Sequence, residues 1–185
     1  MINSFNIKSK IDKTKKTINA KKITLKRLEN ISFHYLNRFG GTEKSLRDIL
    51  SKRIKKSMQH HTQQNPNQIK EWVDEVVKKC KAYNYINDLN FAKTKAKSLH
   101  NKGNSLKMIM LKLIQKGICE EDIKTALDEL GTNSELSSAV YYAKKRKLGI
   151  YNFNFDGNID KKDLAKMARR GFSYDICKKV LTESD

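Results

Sequence analysis

Residues 85–130 read YINDLNFAKTKAKSLHNKGNSLKMIMLKLIQKGICEEDIKTALDEL, a stretch that contains three amphipathic segments separated by short turns. The first segment follows Asn87, a residue type that is favoured at helix N-caps. Its residues Ala92, Ala96 and Leu99 recur at i, i+4 and i+7, which places them on one face of a helix. This spacing predicts a first amphipathic helix.

The next two segments complete a three-helix unit. Ser105 is suited to cap a second helix, and Gly117 to end it. The apolar residues of that helix follow at i, i+3, i+4, i+7 and i+8: Leu106, Ile109, Met110, Leu113 and Ile114. A third helix opens with acidic residues at 120–122, where the helix macrodipole favours negative charge, and its core face carries Ile123, Ala126, Leu127 and Leu130. Three short helices with tight turns predict one small bundle.

The segment upstream repeats this arrangement. Thr24 and Thr42 are suited to cap two helices, and Gly40 separates them. The second of these helices carries apolar residues at i, i+3, i+4 and i+8, as residues 106–114 do: Leu46, Ile49, Leu50 and Ile54. A further helix after a polar loop presents Ile69, Trp72, Val73, Val76 and Cys80 as its predicted core face.

The segment downstream predicts three more helices, which begin at Ser134, Asp160 and Ser173. The whole pattern predicts an all-α fold of three tandem three-helix repeats, spaced by roughly 50 residues. We predict these repeats at residues 23–82, 83–131 and 132–185. Residues 1–22 hold seven Lys and one acidic residue without a sustained apolar period, which predicts a mobile basic N-terminal arm.

The formal net charge of +19 is the strongest signal in the composition. It predicts attraction to a polyanion, which could be nucleic acid, an acidic protein surface or an anionic membrane. The alternative is a general preference of the sequence for Lys, Asn and Ile. Since 32 of the cationic residues are Lys and seven are Arg, most of this charge is of the kind that binds phosphates without reading bases.

The sequence predicts a cytoplasmic protein with no membrane partner. No run approaches the roughly 20 apolar residues of a membrane span, and the N-terminus lacks the apolar core of a secretion signal. Cys80, Cys119 and Cys177 are odd in number and lie far apart, a pattern that argues against a disulfide framework or a zinc site. Each is expected to be a small buried apolar residue.

Motifs for catalysis are absent from the sequence. It contains no Gly-x-x-x-x-Gly-Lys-[Ser/Thr] loop, no Gly-x-Gly-x-x-Gly and no His-Glu-x-x-His. The four histidines show no ligand spacing beyond the adjacent His60 and His61 in a polar loop. We therefore predict a protein that is not an enzyme and that has no catalytic residue, cofactor or metal.

One loop follows the pattern of a calcium-binding EF-hand. Residues 152–163 place Gly157 at position 6 and Ile159 at position 8, with oxygen-bearing side chains at positions 1, 3, 5, 9 and 12. Position 1 is Asn instead of Asp, and the flanking segments are rich in Lys, which repels a divalent cation. The alternative, which we favour, is that Asp160 and Asp163 are the cap and first-turn residues of the next helix.

Five motifs follow one another along the chain. They are His34-Tyr35-Leu36-x-Arg38-Phe39 with Ser45-x-x-x-x-Leu50, Tyr85-Ile86-Asn87-Asp88-x-x-Phe91-Ala92, Gly103-x-Ser105, Lys116-Gly117-Ile118 and Arg169-Arg170-Gly171-Phe172-Ser173. Together they resemble the RecX regulatory proteins of bacteria, and the first resembles the variant found in alphaproteobacteria. The resemblance covers residues 24–182. The chain departs from the family in its basic N-terminal arm and in an enlarged loop at 148–159.

The resemblance implies a non-enzymatic modulator of the RecA recombinase. RecX proteins are elongated, curved, all-helical molecules that lie in the groove of the RecA filament on single-stranded DNA. They restrain its ATP hydrolysis, growth and strand exchange. The implied partner is therefore the RecA filament, direct contact with DNA phosphates stays open, and we expect a monomer. The alternative, from charge alone, is a basic helical nucleic-acid-binding protein that acts without RecA.

The candidate partner-binding residues are cationic. Nine Lys and one acidic residue lie between Lys78 and Lys112, so the first two helices of the central repeat present a basic surface. Arginines are included because a planar guanidinium binds carboxylates or phosphates in pairs. The candidates are Arg47, Arg53, Lys93, Lys97, Lys102, Lys107, Arg169 and Arg170. The alternative for each Lys is a solvated helix face, and for Arg169 and Arg170 it is an interaction with the end of their own helix.

Overall fold

A computed structural model describes residues 21–183 and shows an all-helical protein, as predicted. Within this range the chain forms nine α-helices, one short 3-10 helix and no strand. The helices are α1 (Leu25–Phe39), α2 (Glu43–Met58), α3 (Pro66–Ala82), α4 (Asp88–His100), α5 (Leu106–Gln115), α6 (Glu120–Asp128), α7 (Ser134–Arg146), α8 (Lys161–Arg169) and α9 (Tyr174–Thr182), with the 3-10 helix at Gly149–Tyr151. The predicted N-terminal arm lies outside the described residues, except for Lys21 and Lys22.

The helices group into three bundles, each with its own buried apolar cluster. We call them unit 1 (α1–α3), unit 2 (α4–α6) and unit 3 (α7–α9). Fully buried side chains include Leu28, Leu46, Leu50 and Val76 in unit 1, Ile109 and Leu113 in unit 2, and Met167, Val180 and Leu181 in unit 3. Across the described range, every closely packed pair of helices lies within one unit. The three-helix repeats expected from the apolar spacing are therefore present.

Most helices begin where the sequence predicts, because a side-chain oxygen accepts a hydrogen bond from an otherwise unpaired amide. Oγ1 of Thr42 accepts from the amide of Ser45 at 3.1 Å, and Oγ of Ser105 accepts from the amide of Met108 at 3.1 Å. The same role is confirmed for Thr24, Asn87, Asp160 and Ser173.

α7 begins differently from the prediction. The N-cap position is occupied by Asn133, and the predicted cap Ser134 is the first helical residue. Ser134 is buried, and its carbonyl accepts a 2.8 Å hydrogen bond from Nε2 of His100 in unit 2. The prediction is wrong because the helix begins one residue earlier than predicted, so Ser134 lies in the first turn and its buried Oγ makes no hydrogen bond among the described residues.

Three residues that the sequence predicts to be buried are exposed. Met110 and Ile114 are 38% and 51% exposed, because the short helix α5 buries only one narrow row of side chains. Cys119 occupies the N-cap position of α6 and faces solvent. Cys80 and Cys177 are buried as predicted, and their burial raises the pKa of both thiols.

The connection between units 1 and 2 contributes to the first core. Ile86 is buried in the cluster of unit 1, and the ring of Tyr85 packs edge-on against Phe33 with a centroid distance of 5.1 Å. Trp72 is partly buried against the same cluster, as expected of a core side chain. The peptide that precedes α4 therefore helps to stabilise unit 1.

Candidate functional site

The three units are joined by two hydrogen-bonded junctions of the same design. At the first, Thr42 Oγ1 at the start of α2 donates to the carbonyl oxygen of Lys116 at the end of α5, at 2.7 Å. At the second, Ser105 Oγ at the start of α5 donates to the carbonyl oxygen of Arg170 at the end of α8, also at 2.7 Å. Each hydroxyl caps its own helix and also satisfies a carbonyl at the end of a helix in the next unit. The start of α2 therefore meets the end of α5, and the start of α5 meets the end of α8.

A carboxylate from the next unit completes each junction. The amide of Glu43, the first residue of α2, donates to Asp88 Oδ1 at 3.2 Å. The amide of Leu106, the first residue of α5, donates to Glu135 Oε2 at 2.7 Å. Burial raises the pKa of the Asp88 carboxyl. The starts of α2 and α5 thus each have a carboxylate beside them. The negative end of the α5 dipole meets the positive end of α2, and the negative end of α8 meets the positive end of α5.

The glycines that follow α5 and α8 permit this close approach. Gly117 and Gly171 have φ values of 78° and 86°, a region that L side chains rarely adopt. A Cβ atom on Gly117 would lie 2.6 Å from the Cβ of Lys44, and one on Gly171 would lie 2.6 Å from Oγ of Ser105. Glycine is therefore required at both junctions by backbone conformation and by space.

Asn104 lies at the centre of the second junction. Its Oδ1 accepts from Lys112 Nζ at 2.9 Å and from Arg170 Nη1 at 3.1 Å, while its Nδ2 donates to the carbonyl of Leu99 at 2.7 Å. Its own carbonyl accepts from Ser138 Oγ of unit 3 at 2.8 Å. Burial and the nearby charge of Arg170 lower the pKa of the Lys112 amino group. The buried side chain of Asn104 therefore binds one cation from unit 2 and one from unit 3, and so links the two units.

The two arginine candidates of unit 1 have different surroundings. Arg47 is paired, because its Nε donates to Glu43 Oε1 at 2.8 Å and its Nη1 donates to Asp74 Oδ1 at 2.7 Å. Arg53 is exposed and lines an apolar groove with Phe39. It makes no ion pair within the described part of the chain. Arg53 is thus available to an anionic partner, whereas Arg47 must first give up its carboxylates.

The lysine candidates of unit 2 divide in the same way. Lys93 and Lys97 line a groove between α4 and α6, and Lys93 forms an ion pair with Glu129 across it. Lys97 is exposed on the same groove, Lys102 is exposed in the turn after α4, and Lys107 is exposed in the first turn of α5. None of these three lysines pairs with a carboxylate among residues 21–183.

The two arginine candidates of unit 3 point to different partners. Arg169 Nε donates to the carbonyl of Ala165 at 3.1 Å, which is the interaction with its own helix that the sequence left open. Arg170 reaches Asn104 in unit 2, and its guanidinium carbon lies 4.8 Å from the centre of the Tyr142 ring. Arg170 therefore helps to hold the junction between units 2 and 3.

Comparison with known proteins identifies the family. A family model described as RecX, second three-helix domain, matches residues 87–127, which contain α4, α5 and most of α6. The regulatory protein RecX of Myxococcus xanthus is 34% identical over 164 residues, which cover 87% of each chain. The chain belongs to the RecX family. RecX of Agrobacterium fabrum is 30% identical over 76% of this chain and 73% of its own length, and RecX of Bacillus pumilus is 33% identical over 60% and 43%.

The RecX resemblance drawn from short motifs is thus confirmed, although no solved structure gave a significant match. Membership of a family of regulatory proteins points to regulation instead of catalysis. In this RecX-family chain, residues of four of the motifs lie at the junctions: Asp88, Ser105, the Lys116-Gly117 pair and the Arg170-Gly171 pair. The motifs therefore mark the places where one unit is fixed to the next.

The sequence did not predict the junction role of three residues. Asn104 occupies the unspecified position of the Gly103-x-Ser105 motif, and its burial was the property that the sequence could not reveal. Asp88 and Glu135 have the sequence signal of first-turn acids, which indicates a role in their own helices. Their hydrogen bonds to another unit have no local signature.

In the EF-hand-like loop, two carboxylates accept hydrogen bonds from backbone amides. Asp160 Oδ1 accepts from the amide of Lys162 at 2.7 Å, which confirms that Asp160 caps α8. Asp163 is buried, and its Oδ2 accepts from the amide of Gly149 at 3.1 Å. In the described part of the chain, no group of three or more His, Cys, Asp or Glu side chains is placed to hold a metal. Nor does any helix there have the length and apolar character needed to cross a membrane.

Proposed function

We propose that this protein regulates the RecA recombinase by binding along the RecA filament on single-stranded DNA. It restrains ATP hydrolysis, filament extension and strand exchange, as the resemblance to RecX proteins implies. It acts as a monomer in the cytoplasm and uses no cofactor. The observation that carries the proposal is RecX-family membership across most of the chain.

The arrangement of the units suits a filament as partner. α8, α5 and α2 meet end to end through the junctions of Thr42 and Ser105, so the binding surface can extend over all three units. Contacts that separate units make with neighbouring filament subunits add avidity without requiring a single strong site. The net charge of +19 favours a position close to the DNA phosphates.

Regulation also requires a difference in affinity between two states of the filament. A regulator that binds the less active state about 10-fold more tightly supplies roughly 1.4 kcal/mol towards that state. The cations that carry this binding are the exposed candidates that have neither a carboxylate partner nor a side-chain hydrogen bond in the described range: Arg53, Lys97, Lys102 and Lys107. Arg169 is excluded because its guanidinium already donates to the carbonyl of Ala165. The paired candidates Arg47 and Lys93 contribute less, because binding a partner would break their present ion pairs.

The test is ATP hydrolysis by the host's RecA on single-stranded DNA, with this protein titrated at low and at physiological salt. We expect hydrolysis to fall at amounts well below one regulator per RecA protomer, and to do so at both salt concentrations. A variant in which Arg53, Lys97, Lys102 and Lys107 are all changed to Gln should lose most of this effect. The matched control changes Lys124, Lys161, Lys162 and Lys178 to Gln, which removes the same charge from other exposed positions.

The second candidate function is nucleic-acid binding that is independent of RecA. The net charge of +19 favours it, because cations spread over the surface bind phosphates without a protein partner. It predicts tight binding to bare single-stranded and duplex DNA, with a steep dependence on salt. It also predicts that both Gln variants weaken binding equally, and that RecA is affected only when the DNA is coated.

A further inference from the structure

α7 ends in four consecutive cations, Lys144, Lys145, Arg146 and Lys147, all of which are exposed. None of them pairs with a carboxylate in the part of the chain that the structure describes. Lys147 has φ of 54°, ends the helix and leads into the loop at 148–159. Cations at a helix C-terminus also complement the helix dipole, so charge alone does not identify a binding site.

A second observation concerns the aromatic rings beside these cations. Lys145 Nζ lies 5.6 Å from the ring centre of Tyr141, and Lys147 Nζ lies 5.5 Å from that of Phe153. Lys144 Nζ lies 5.5 Å from the ring centre of Tyr151. Positive charge and aromatic surface are thus interleaved along one short segment of unit 3.

The rings of Tyr141 and Phe153 are open to solvent. Phe153 is 92% exposed, and Tyr141 is 44% exposed. Neither ring is part of the apolar cluster of unit 3, so the fold gains little hydrophobic stabilisation from them. Tyr151 differs, because it packs against that cluster. The two open rings therefore offer flat apolar surface directly beside cations.

The face of α7 that carries Tyr141 adjoins unit 2. Tyr141, Lys144 and Lys145 are spaced at i, i+3 and i+4 and share one face of α7. Tyr141 also lies beside the turn of unit 2, because its Cδ1 is 3.2 Å from the place that a Cβ on Gly103 would occupy. The exposed Lys102 precedes that glycine. The cationic surface of the central unit therefore extends onto unit 3.

We propose that Tyr141, Lys144, Lys145, Lys147 and Phe153 form a site that binds single-stranded DNA by base stacking. The lysines hold phosphates, while the open rings stack on unpaired bases. Duplex DNA buries its bases within the helix, so it can use the lysines but not the rings. An acidic peptide would likewise pair with the lysines and leave the rings unused. The choice of DNA as the nucleic acid rests on the proposed function.

The test compares two fluorescent oligonucleotides of about 20 nucleotides, one with bases and one abasic along its length, by anisotropy without RecA. Both carry the same phosphates, so the difference in Kd measures stacking. We expect the protein to bind the base-containing strand about 5- to 100-fold more tightly. Phe153→Ala should remove most of that preference, whereas Phe153→Trp should keep it and show fluorescence quenching by the bound strand.

Tyr174→Ala is the matched control, because Tyr174 is 63% exposed in unit 3 but no cation lies over its ring among the described residues. It should leave the preference for bases unchanged. Equal binding of the two strands by the unaltered protein, or equal losses in Phe153→Ala and Tyr174→Ala, would overturn the proposal. An RNA strand bound more tightly than the DNA of the same sequence would overturn the assignment to DNA.

This measurement is separate from the test of RecA regulation. If Phe153→Ala loses the preference for bases while the unaltered protein leaves RecA hydrolysis unchanged, the stacking site stands and the proposed function fails. If the protein inhibits RecA but binds the base-containing and abasic strands equally, the function stands and the stacking site fails.

Discussion

The hydroxyl of Ser105 donates a 2.7 Å hydrogen bond to the carbonyl of Arg170, 65 residues further along the chain. The same oxygen accepts from the amide of Met108 and so begins α5. A hydroxyl can do both because it has one donor and two acceptor positions. Asp160 stands at the equivalent start of α8, and its carboxylate can accept but cannot donate. The hydroxyl-to-carbonyl bond that joins unit 1 to unit 2 and unit 2 to unit 3 therefore has no counterpart at the start of α8.

Removing the Ser105 hydroxyl should loosen the second junction. We expect Ser105→Ala to lower the free energy of unfolding by about 2–3 kcal/mol, because it removes a helix cap and leaves the Arg170 carbonyl unpaired. Ser173→Ala is the control, since Ser173 only caps α9, and it should cost about 1 kcal/mol. Urea denaturation followed by circular dichroism measures both. Ser105→Thr, which keeps the hydroxyl, should restore most of the loss.

Adding a methyl group at Gly171 should push the same junction apart. Gly171→Ala places a Cβ 2.6 Å from Ser105 Oγ, in a backbone conformation that L residues disfavour. We expect a loss of about 3 kcal/mol or more, against about 1 kcal/mol for Gly131→Ala. Gly131 also has a positive φ, but a methyl group there would meet no atom within 4 Å. Gly131→Ala therefore measures the cost of the backbone conformation without the cost of crowding. Equal losses in the two variants would contradict crowding at the junction.

Asn104 should be more important than any surface lysine for the stability of units 2 and 3. Asn104→Ala leaves Lys112 and Arg170 without their shared acceptor, and we expect it to cost about 2–4 kcal/mol. Asn101→Ala, at an exposed position on the same turn, should cost less than about 1 kcal/mol. Amide hydrogen exchange should show faster exchange at the end of α8, where Arg170 lies, in Asn104→Ala only. Unchanged exchange there would exclude a role in the junction.

The Glu43 carboxylate should make stability fall in acid. Hydrogen bonds from Lys81 and then Arg47 hold the pKa of this carboxyl below its ordinary value of 4.5. The unfolded chain therefore binds the proton more tightly, so the stabilisation is present above pH 4.5 and is lost as pH falls through the folded-state pKa. Glu43→Gln should flatten the pH dependence of Tm in this range.

Lys81→Gln is the companion variant, because it removes the larger of the two hydrogen-bond contributions to the Glu43 pKa. It should flatten the same part of the pH profile while leaving the carboxyl in place. A profile that keeps its full slope below pH 4.5 in both variants would show that other carboxylates govern acid unfolding.

The sequence predicts most of what depends on near neighbours. Caps at Thr42 and Ser105 act over three residues, and the apolar spacing that buries Ile109 and Leu113 repeats within one turn. The errors concern exact helix bounds and the packing of helix against helix. Ser134 lies inside α7 instead of capping it, and Met110 and Ile114 are exposed because no helix in the described range covers their side of α5.

The sequence by itself determined the all-helical class, most of the helix starts and the family, because each follows from residue types at short, regular spacings. Only the tertiary structure decided which cations are paired and how the units meet. Thr42 and Lys116 are 74 residues apart, and nothing in either residue type specifies the other. Such bonds arise when folded helices bring unpaired amides and carbonyls together, so they exist only after the local structure has formed.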